Sequence, residues 1–234
     1  MATIAVVNPK GGAGKSTTVL VLATELAKQT TVAVIDGDPN HPLKDWASGG
    51  NAPESLTIIS DVSEDTIMDE IEAASEKHAV VLIDLEGTAS KIVVLAVSMS
   101  DYVLVPVQGS YLDAKQASRA LSVINQQERM VQRQSPDFRL PYSILLTRTS
   151  QALRSKTLTS IENELCSNNI PVFSSELYER DAFKAMFSYR TTLDGLWNMA
   201  SKKERLTIEK AMKNANEVCK EFTTTLIREL GVKK

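Results

Sequence analysis

The sequence predicts an α/β fold of the doubly wound type, in which a mostly parallel sheet carries helices on both faces. Short apolar, β-branched runs alternate with segments whose apolar residues recur at helical spacing. The predicted strands are apolar throughout, as is typical of parallel strands that are buried on both faces. No repeat or low-complexity linker divides the 234 residues, so we expect one domain, residues 1–234.

Strands are predicted where apolar runs end at turn residues. Residues 4–7 end at Asn8-Pro9 and two glycines, and residues 31–35 end at an Asp-Gly-Asp-Pro segment. The other predicted strands are 79–83, 102–107 and 140–147. Helices are predicted over 16–28, 64–76, 113–131, 153–168 and 201–230. Residues 92–97 would suit a strand by their β-branched content, but the alternation of the other elements favours a buried helix.

Composition excludes several classes of protein. With 43% hydrophobic and 24% charged residues, the chain is neither disordered, collagenous nor a coiled coil. The longest apolar run, 92–97, is far shorter than the roughly 20 residues of a membrane-spanning helix. No signal peptide is visible, so we expect a cytoplasmic protein. Cys166 and Cys219 are isolated, which predicts reduced thiols rather than a disulfide or metal site.

Residues 10–17, Lys-Gly-Gly-Ala-Gly-Lys-Ser-Thr, lie where the first strand gives way to the first helix. Glycines let several backbone N–H groups point at one anion, and the helix start adds partial positive charge. Lys15 would reach the β- and γ-phosphates and the Ser16 hydroxyl would bind Mg²⁺. The usual phosphate-loop pattern has glycine where this chain has Pro9. The segment predicts a site for the phosphates of a nucleotide and for Mg²⁺.

This segment resembles the deviant Walker A motif of the ParA/MinD class of P-loop ATPases, with its lysine in first position. Four further segments resemble that class in order and spacing: 36–39 (DGDP), 80–84 (the Walker B strand), 105–106 followed by 110–113, and 145–148. The resemblance extends to about residue 185, and beyond that it rests on the last helix. It implies an ATPase that dimerises with ATP between its subunits.

The resemblance also implies roles for individual residues. Lys10, Lys15 and Asp38 would be catalytic, Lys10 by contacting phosphates across the dimer and Asp38 by positioning the attacking water. Ser16, Asp36 and Asp84 would hold the metal. The nucleotide would bind residues of the loop and Arg148, which is near the base: Lys10, Gly11, Gly12, Ala13, Gly14, Lys15, Ser16, Thr17 and Arg148. A turn role before proline is the alternative for Asp36 and Asp38.

The segment after Asp84 departs from the class. Small, apolar or proline residues are usual there, whereas this chain has Leu85, Glu86 and Gly87. Glu86 could repel nucleotide, bind the metal or point to solvent, and solvent is the interpretation that the sequence favours. Because of Glu86, a scaffold that binds ATP without useful hydrolysis stays an alternative.

The resemblance is strongest to small ParA-type DNA partition proteins. It implies non-specific DNA binding by the ATP dimer, release by a ParB-like DNA-bound partner and a nucleoid-associated location. Residues 176–186 also look like the VirC group, which works with a relaxase in conjugative or T-DNA transfer. The other interpretation is that Ala182, Phe183 and Met186 are core positions of a helix.

Charge is distributed unevenly, because residues 1–120 hold 8 basic and 16 acidic residues while 121–234 hold 18 and 13. Five lysines fall on one face of the last predicted helix, opposite an apolar stripe: Lys202, Lys203, Lys210, Lys213 and Lys220. Glu209, Glu217 and Glu221 share their face, which favours a solvated surface over a phosphate-binding one. Further candidates for DNA contact are Arg129, Arg133, Arg139 and Arg154.

Two other functions are weighed against these. A MinD-like membrane switch needs a terminal amphipathic helix with bulky apolar residues, and the end of this chain, 228–234, has none, so no membrane partner is expected. A cluster-carrying ATPase similar to the nitrogenase iron protein needs cysteines after the Walker B strand. No cysteine precedes Cys166.

Overall fold

A seven-stranded sheet is the centre of the computed structural model, which describes residues 1–86, 90–109, 111–151 and 156–231 and omits the side chains of 111–117 and 157. The strand order is β3-β2-β4-β1-β5-β6-β7, and the strands pair in parallel. The strands are β1 (Ala2–Val6), β2 (Val32–Gly37), β3 (Leu56–Ile59), β4 (Val80–Leu85), β5 (Tyr102–Gln108), β6 (Tyr142–Thr149) and β7 (Leu177–Tyr178). The predicted fold class is confirmed.

Helices cover both faces of this sheet. They are α1 (Lys15–Leu26), α2 (Pro42–Ala47), α3 (Ile67–Lys77), α4 (Lys91–Ser98), α5 (Tyr111–Val131), α6 (Lys156–Ser167), α7 (Asp181–Ser188), α8 (Leu193–Met199) and α9 (Lys202–Leu230). One apolar core joins the sheet to α1, α2, α7, α8 and α9. The other joins it to α3, α4, α5 and α6. Burial of both faces explains why the strands are apolar throughout.

The five predicted strands are confirmed. Residues 92–97 form a helix as predicted, but α4 is buried on one face only: Val93, Ala96 and Val97 are buried, whereas Val94 is exposed.

The interpretation of Ala182, Phe183 and Met186 as core positions of a helix is also confirmed, since all three are buried on α7. Pattern reading missed β3, β7, α2 and α8, which have two to seven residues each. Such short elements have too few turns or alternations to produce a period. Helix α3 begins at Ile67, three residues later than predicted.

The parallel arrangement brings the carboxyl ends of the strands to one edge of the sheet. Asp84 pairs in register with Val6 on one side and with Asp36 on the other. The loop after β1 therefore begins beside two strand-end carboxylates. Crevices at this edge are where open α/β sheets bind ligands.

Helix α9 is docked on the sheet by its apolar stripe. Phe222 is fully buried, and its ring meets that of Tyr102 edge to face with centroids 6.3 Å apart. Polar contacts fix the neighbouring β7: Asn214 accepts the N–H of Tyr178 at 3.0 Å and donates to the carbonyl of Glu176 at 2.7 Å. The helix therefore supports the strand that lies at the far edge of the sheet.

Candidate functional site

The loop between β1 and α1 is held in shape by two glycines and by contacts from neighbouring strands. Gly12 and Gly14 have φ of 77° and 89°, a region that suits glycine. A Cβ at Gly14 would lie 3.4 Å from the side chain of Thr147. The Thr147 hydroxyl donates to the carbonyl of Ala13 at 2.8 Å, and the Gln108 amide donates to that of Gly12. Strands β5 and β6 thus fix the loop from one side.

The side chain of Lys15 reaches back to the start of this loop. The side chain is buried, and Nζ donates to the carbonyls of Asn8 at 3.2 Å and Lys10 at 3.4 Å. Asn8 accepts the N–H of Lys10 at 2.9 Å and donates to the carbonyl of Pro106 at 2.6 Å. These side-chain bonds shape the turn in which proline replaces the usual glycine. Burial lowers the pKa of Lys15, and the charges of Asp84, Asp38 and Glu86 oppose that shift.

Asp36 and Asp84 are fully buried beside the loop. Asp36 Oδ2 accepts the N–H groups of Leu43 and Lys44, each at 2.9 Å, at the start of α2. Its other oxygen and both oxygens of Asp84 have no partner of hydrogen-bond geometry. Three buried carboxylate oxygens are therefore available, and leaving such atoms without a donor or a cation is costly.

Burial, together with the smaller effect of the charge of Asp36, raises the pKa of Asp84 to about 7. The Ser16 hydroxyl lies close enough to oppose this shift, although it does not meet hydrogen-bond geometry. Burial also raises the pKa of Asp36. A cation beside Asp36 and Asp84 would therefore stabilise the charged form of both carboxyl groups.

These donors suit Mg²⁺ that is shared with a nucleotide. Carboxylate and hydroxyl oxygens are hard ligands, and Mg²⁺ in phosphate sites usually keeps several waters. Among the residues that the structure describes, no group of three or more His, Cys, Asp or Glu side chains could hold a metal on its own. A metal at Ser16, Asp36 and Asp84 would thus depend on phosphate oxygens and water for its other ligands.

We expect Asp84→Asn to stabilise the nucleotide-free protein. A carboxyl group with a pKa near 7 when folded, against 3.8 when unfolded, binds more protons in the folded state between these pH values. Its contribution to stability is therefore present at low pH and is lost as pH rises to about 7. Denaturant unfolding should show a gain of about 4 kcal/mol at pH 8 and little gain near pH 4. The exposed Asp137→Asn is the control, and a pH-independent difference would contradict the prediction.

Asp38 follows β2 and is half-buried at the rim of the site. Its Oδ1 accepts the N–H of Asn40 at 2.8 Å and the Asn40 side-chain amide at 2.9 Å. The side chain thus takes part in the turn that the sequence offered as an alternative role. It also lines the cleft above the loop, so the turn holds a carboxylate where a bound molecule would meet it.

The loop and Asp38 form one end of a cleft of about 630 Å³. Sequence-predicted residues that line it are Gly11, Gly12, Gly14, Lys15, Ser16, Thr17, Asp38 and Arg148. Within the loop, Ala13 is buried and Lys10 is half-buried. Ser110, Gly87 and Arg154 lie outside the described residues. The structure brings most of the predicted nucleotide site together around one cavity.

The other end of the cleft contains residues that sequence reasoning did not assign to the site. Leu177, Tyr178 and Phe183 line it. Their one signal was the resemblance of 176–186 to the VirC group. Arg148, with φ of 53°, lines the same end and donates to Glu179 at 3.2 Å. Glu179 also pairs with Lys184 at 3.0 Å, so an ion-pair cluster surrounds the predicted base contact.

The sequence favoured a Glu86 side chain that points to solvent, but the structure does not leave this residue fully exposed. It is half-buried, and it lines the cleft at the phosphate-loop end together with Lys15 and Asp38. The carboxyl end of β4 places it there, two residues beyond Asp84. The position makes Glu86 part of the site.

The basic candidates lie on the surface. All five α9 lysines are exposed, while the opposite stripe is buried, as predicted. Of the three glutamates on their face, Glu221 is engaged elsewhere: it accepts the N–H groups of Ser174 and Ser175, each at 2.7 Å. Arg129, Arg133 and Arg139 are exposed at the end of α5 and just after it.

A family model described as VirC1 protein matches residues 1–230. The chain belongs to the VirC1 family. It is 37% identical over 229 residues to "Protein ParA" of Rhizobium radiobacter. The matched region covers 97% of this chain and all of that protein. The chain is 28% identical over 221 residues to "Protein virC1" of the same organism, covering 89% of this chain and 90% of that one. The predicted resemblance to ParA-type proteins and to the VirC group is confirmed.

The fold of this VirC1-family chain also matches solved structures. An ATP complex of a Cyanothece McdA variant superposes with a TM-score of 0.71 at 15% identity, covering 100% of this chain and 98% of that one. At that identity the match shows the fold, which is that of the ParA-type P-loop NTPases. None of the helices in the described ranges is long and apolar enough to cross a bilayer.

Proposed function

We propose that this VirC1-family protein is an ATPase that binds ATP with Mg²⁺, dimerises around it and positions DNA. One observation carries the proposal: a phosphate loop with a buried lysine adjoins three partnerless carboxylate oxygens at the end of a 630 Å³ cleft. The relative named Protein ParA and the fold match to an ATP complex support the same nucleotide.

Different residues of the chain would have different roles in the transfer of the phosphoryl group to water. Lys15 would neutralise charge on the transferring phosphoryl group, since such reactions depend on positioning and charge stabilisation. Ser16, Asp36 and Asp84 would hold Mg²⁺, which supplies further positive charge at the phosphate oxygens. The carboxylate of Asp38 would orient the attacking water. Thr147 and Gln108 would keep the loop's N–H groups aimed at the phosphates through their bonds to Ala13 and Gly12.

We expect Lys10→Ala to remain able to bind ATP as a monomer. Lys10 is half-buried within the loop, and the resemblance assigns its ammonium to the phosphates of a partner subunit. Loss of that contact removes a charge-assisted interaction across the dimer. Sedimentation with ATP and Mg²⁺ should show a dimer for the unmodified chain and a monomer for the variant, at equal nucleotide occupancy. An ATP-dependent dimer of unchanged strength would contradict the cross-dimer role.

DNA binding would use the exposed α9 lysines. The part of the chain that the structure describes contains no salt bridge to Lys202, Lys203, Lys210, Lys213 or Lys220. Glu221 keeps its negative charge, but its carboxylate is held by the N–H groups of Ser174 and Ser175. The ammonium groups of the five lysines are therefore available to DNA phosphates.

Random-sequence duplex therefore tests this part of the proposal. We expect Lys210→Ala combined with Lys213→Ala to weaken retention of the ATP-bound protein about tenfold at low salt. The slope of log affinity against log salt should also fall by about 2. The exposed pair Lys202 and Lys203 can be changed alike to map the surface. Salt-independent binding, or no binding by the unmodified chain, would refute the DNA role.

A second function is favoured by the match of the VirC1 model to residues 1–230. In that case the partner that stimulates ATP turnover is a relaxase-type protein of DNA transfer rather than a ParB-like protein bound to a centromere. Turnover measured with each partner class, with and without DNA, distinguishes them. Both versions place the protein on DNA in the cytoplasm.

A further inference from the structure

The short strand β7 lies at one edge of the sheet and consists of Leu177 and Tyr178. Leu177 pairs with Thr147 of β6, and the N–H of Glu179 donates to the carbonyl of Thr149 at 2.9 Å. Backbone N–H groups alternate in direction along a strand, so the N–H of Tyr178 points away from β6. At the edge of a sheet such groups have no neighbouring strand to pair with.

Asn214 of α9 pairs with this edge as a neighbouring strand would. Its side-chain oxygen accepts the N–H of Tyr178 at 3.0 Å, and its amide group donates to the carbonyl of Glu176 at 2.7 Å. A residue of a parallel strand would bridge the same two groups, which lie on either side of Leu177. Asn214 is 2% exposed, and a buried amide without partners is unfavourable. The two bonds therefore restrain the position of β7.

The restrained strand forms part of the cleft wall. Leu177, Tyr178 and Phe183 line the end of the cleft that the phosphate loop does not occupy. The guanidinium of Arg180 lies 5.4 Å from the centre of the Tyr178 ring, which restrains the ring from one side. Apolar and aromatic groups suit the flat face of a base better than they suit phosphates. A nucleotide whose phosphates bind the loop would thus present its base to this wall.

We propose that Asn214 is a positioning residue for nucleotide recognition: by holding Tyr178 in place it raises the affinity for the base and leaves the affinity for the phosphates unchanged. The inference rests on the proposed ATP site. The phosphate loop does not depend on the Asn214 bonds, because its shape is fixed by Gln108 of β5, Thr147 of β6 and contacts within the loop. Removing the Asn214 bonds therefore displaces the wall at the base end and leaves the phosphate loop in place.

Calorimetric titration with a non-hydrolysable ATP analogue and with inorganic tripolyphosphate, both with Mg²⁺, tests the inference. Asn214→Leu keeps the branched shape of the side chain and leaves the Tyr178 N–H and the Glu176 carbonyl unpaired. The affinity for the analogue should fall about tenfold, while that for tripolyphosphate changes less than about twofold. Asn216→Leu, at an exposed site on the same helix, is the matched control and should change neither affinity. If Asn214→Leu does not fold, Asn214→Asp removes only the donor to Glu176, and the same selective loss is expected in smaller measure.

A double-mutant cycle tests whether Asn214 acts through Tyr178. Tyr178→Ala should itself weaken the analogue and not tripolyphosphate. Asn214→Leu should then weaken the analogue less in the Tyr178→Ala protein than in the unmodified chain, because the group that it positions is already gone. Fully additive losses would overturn the inference.

The outcomes separate this inference from the proposed function. If the unmodified chain binds neither the analogue nor tripolyphosphate, the proposed function fails. If it binds both and the Asn214 variant weakens both by the same factor, or weakens neither, the positioning role is overturned. Lower thermal stability with an unchanged ratio of the two affinities would likewise overturn it and leave Asn214 a role in folding alone.

Discussion

Lys15→Ala is expected to weaken ATP binding about 100-fold or more and to remove ATP turnover. The Lys15 ammonium is buried and already lies against the loop carbonyls of Asn8 and Lys10. It therefore has little rotamer freedom left to lose when phosphates arrive, and charge-assisted bonds in such a site are strong. Calorimetry and a phosphate-release assay measure the two effects.

Lys15→Met is the companion variant, because it keeps the buried stem and removes only the charge. Lys77→Ala, at an exposed site at the end of α3, controls for loss of a lysine elsewhere. Wild-type turnover in either Lys15 variant would refute the site assignment. Loss of thermal stability in Lys15→Ala but not in Lys15→Met would indicate that the alanine variant reports on packing.

Asp38→Asn should lower ATP turnover about 100-fold or more while ATP affinity changes little. The amide oxygen can still accept the N–H of Asn40, so the turn after β2 is preserved. An amide cannot act as the carboxylate that orients and polarises water, a contribution that is typically 10²–10⁴-fold. Single-turnover kinetics with saturating ATP isolate this step from binding.

Asp45→Asn provides the matched control, since Asp45 is an exposed aspartate on α2 that pairs with Arg190 at 2.7 Å. Unchanged turnover of the Asp38→Asn protein would show that the carboxylate of Asp38 serves only the turn after β2. A protein that loses ATP binding as well would show that Asp38 serves the architecture of the site rather than the chemical step.

The sequence was sufficient for the parts of this site that depend on local chemistry. Gly12 and Gly14 are needed for their backbone conformation, and Lys15 and Ser16 follow them in a fixed spacing. Asp36 and Asp84 follow apolar strands, and strand ends meet at one edge of any parallel sheet. Each of these features is set within a few residues along the chain, so the pattern alone predicted the phosphate end of the cleft.

The tertiary structure decided the rest. The bond from Thr147 to Ala13 joins residues 134 positions apart, and β7 has two residues, too few for any period. Glu86 also depended on the fold, because only the packing of the Asn8-Pro9 turn, α4 and α5 beside it places its carboxylate at the cleft. The sequence by itself predicted the groups that we propose bind phosphate, since backbone conformation and spacing are local. The shape of the cleft and the charge balance within it arise from contacts between distant segments, which local patterns do not encode.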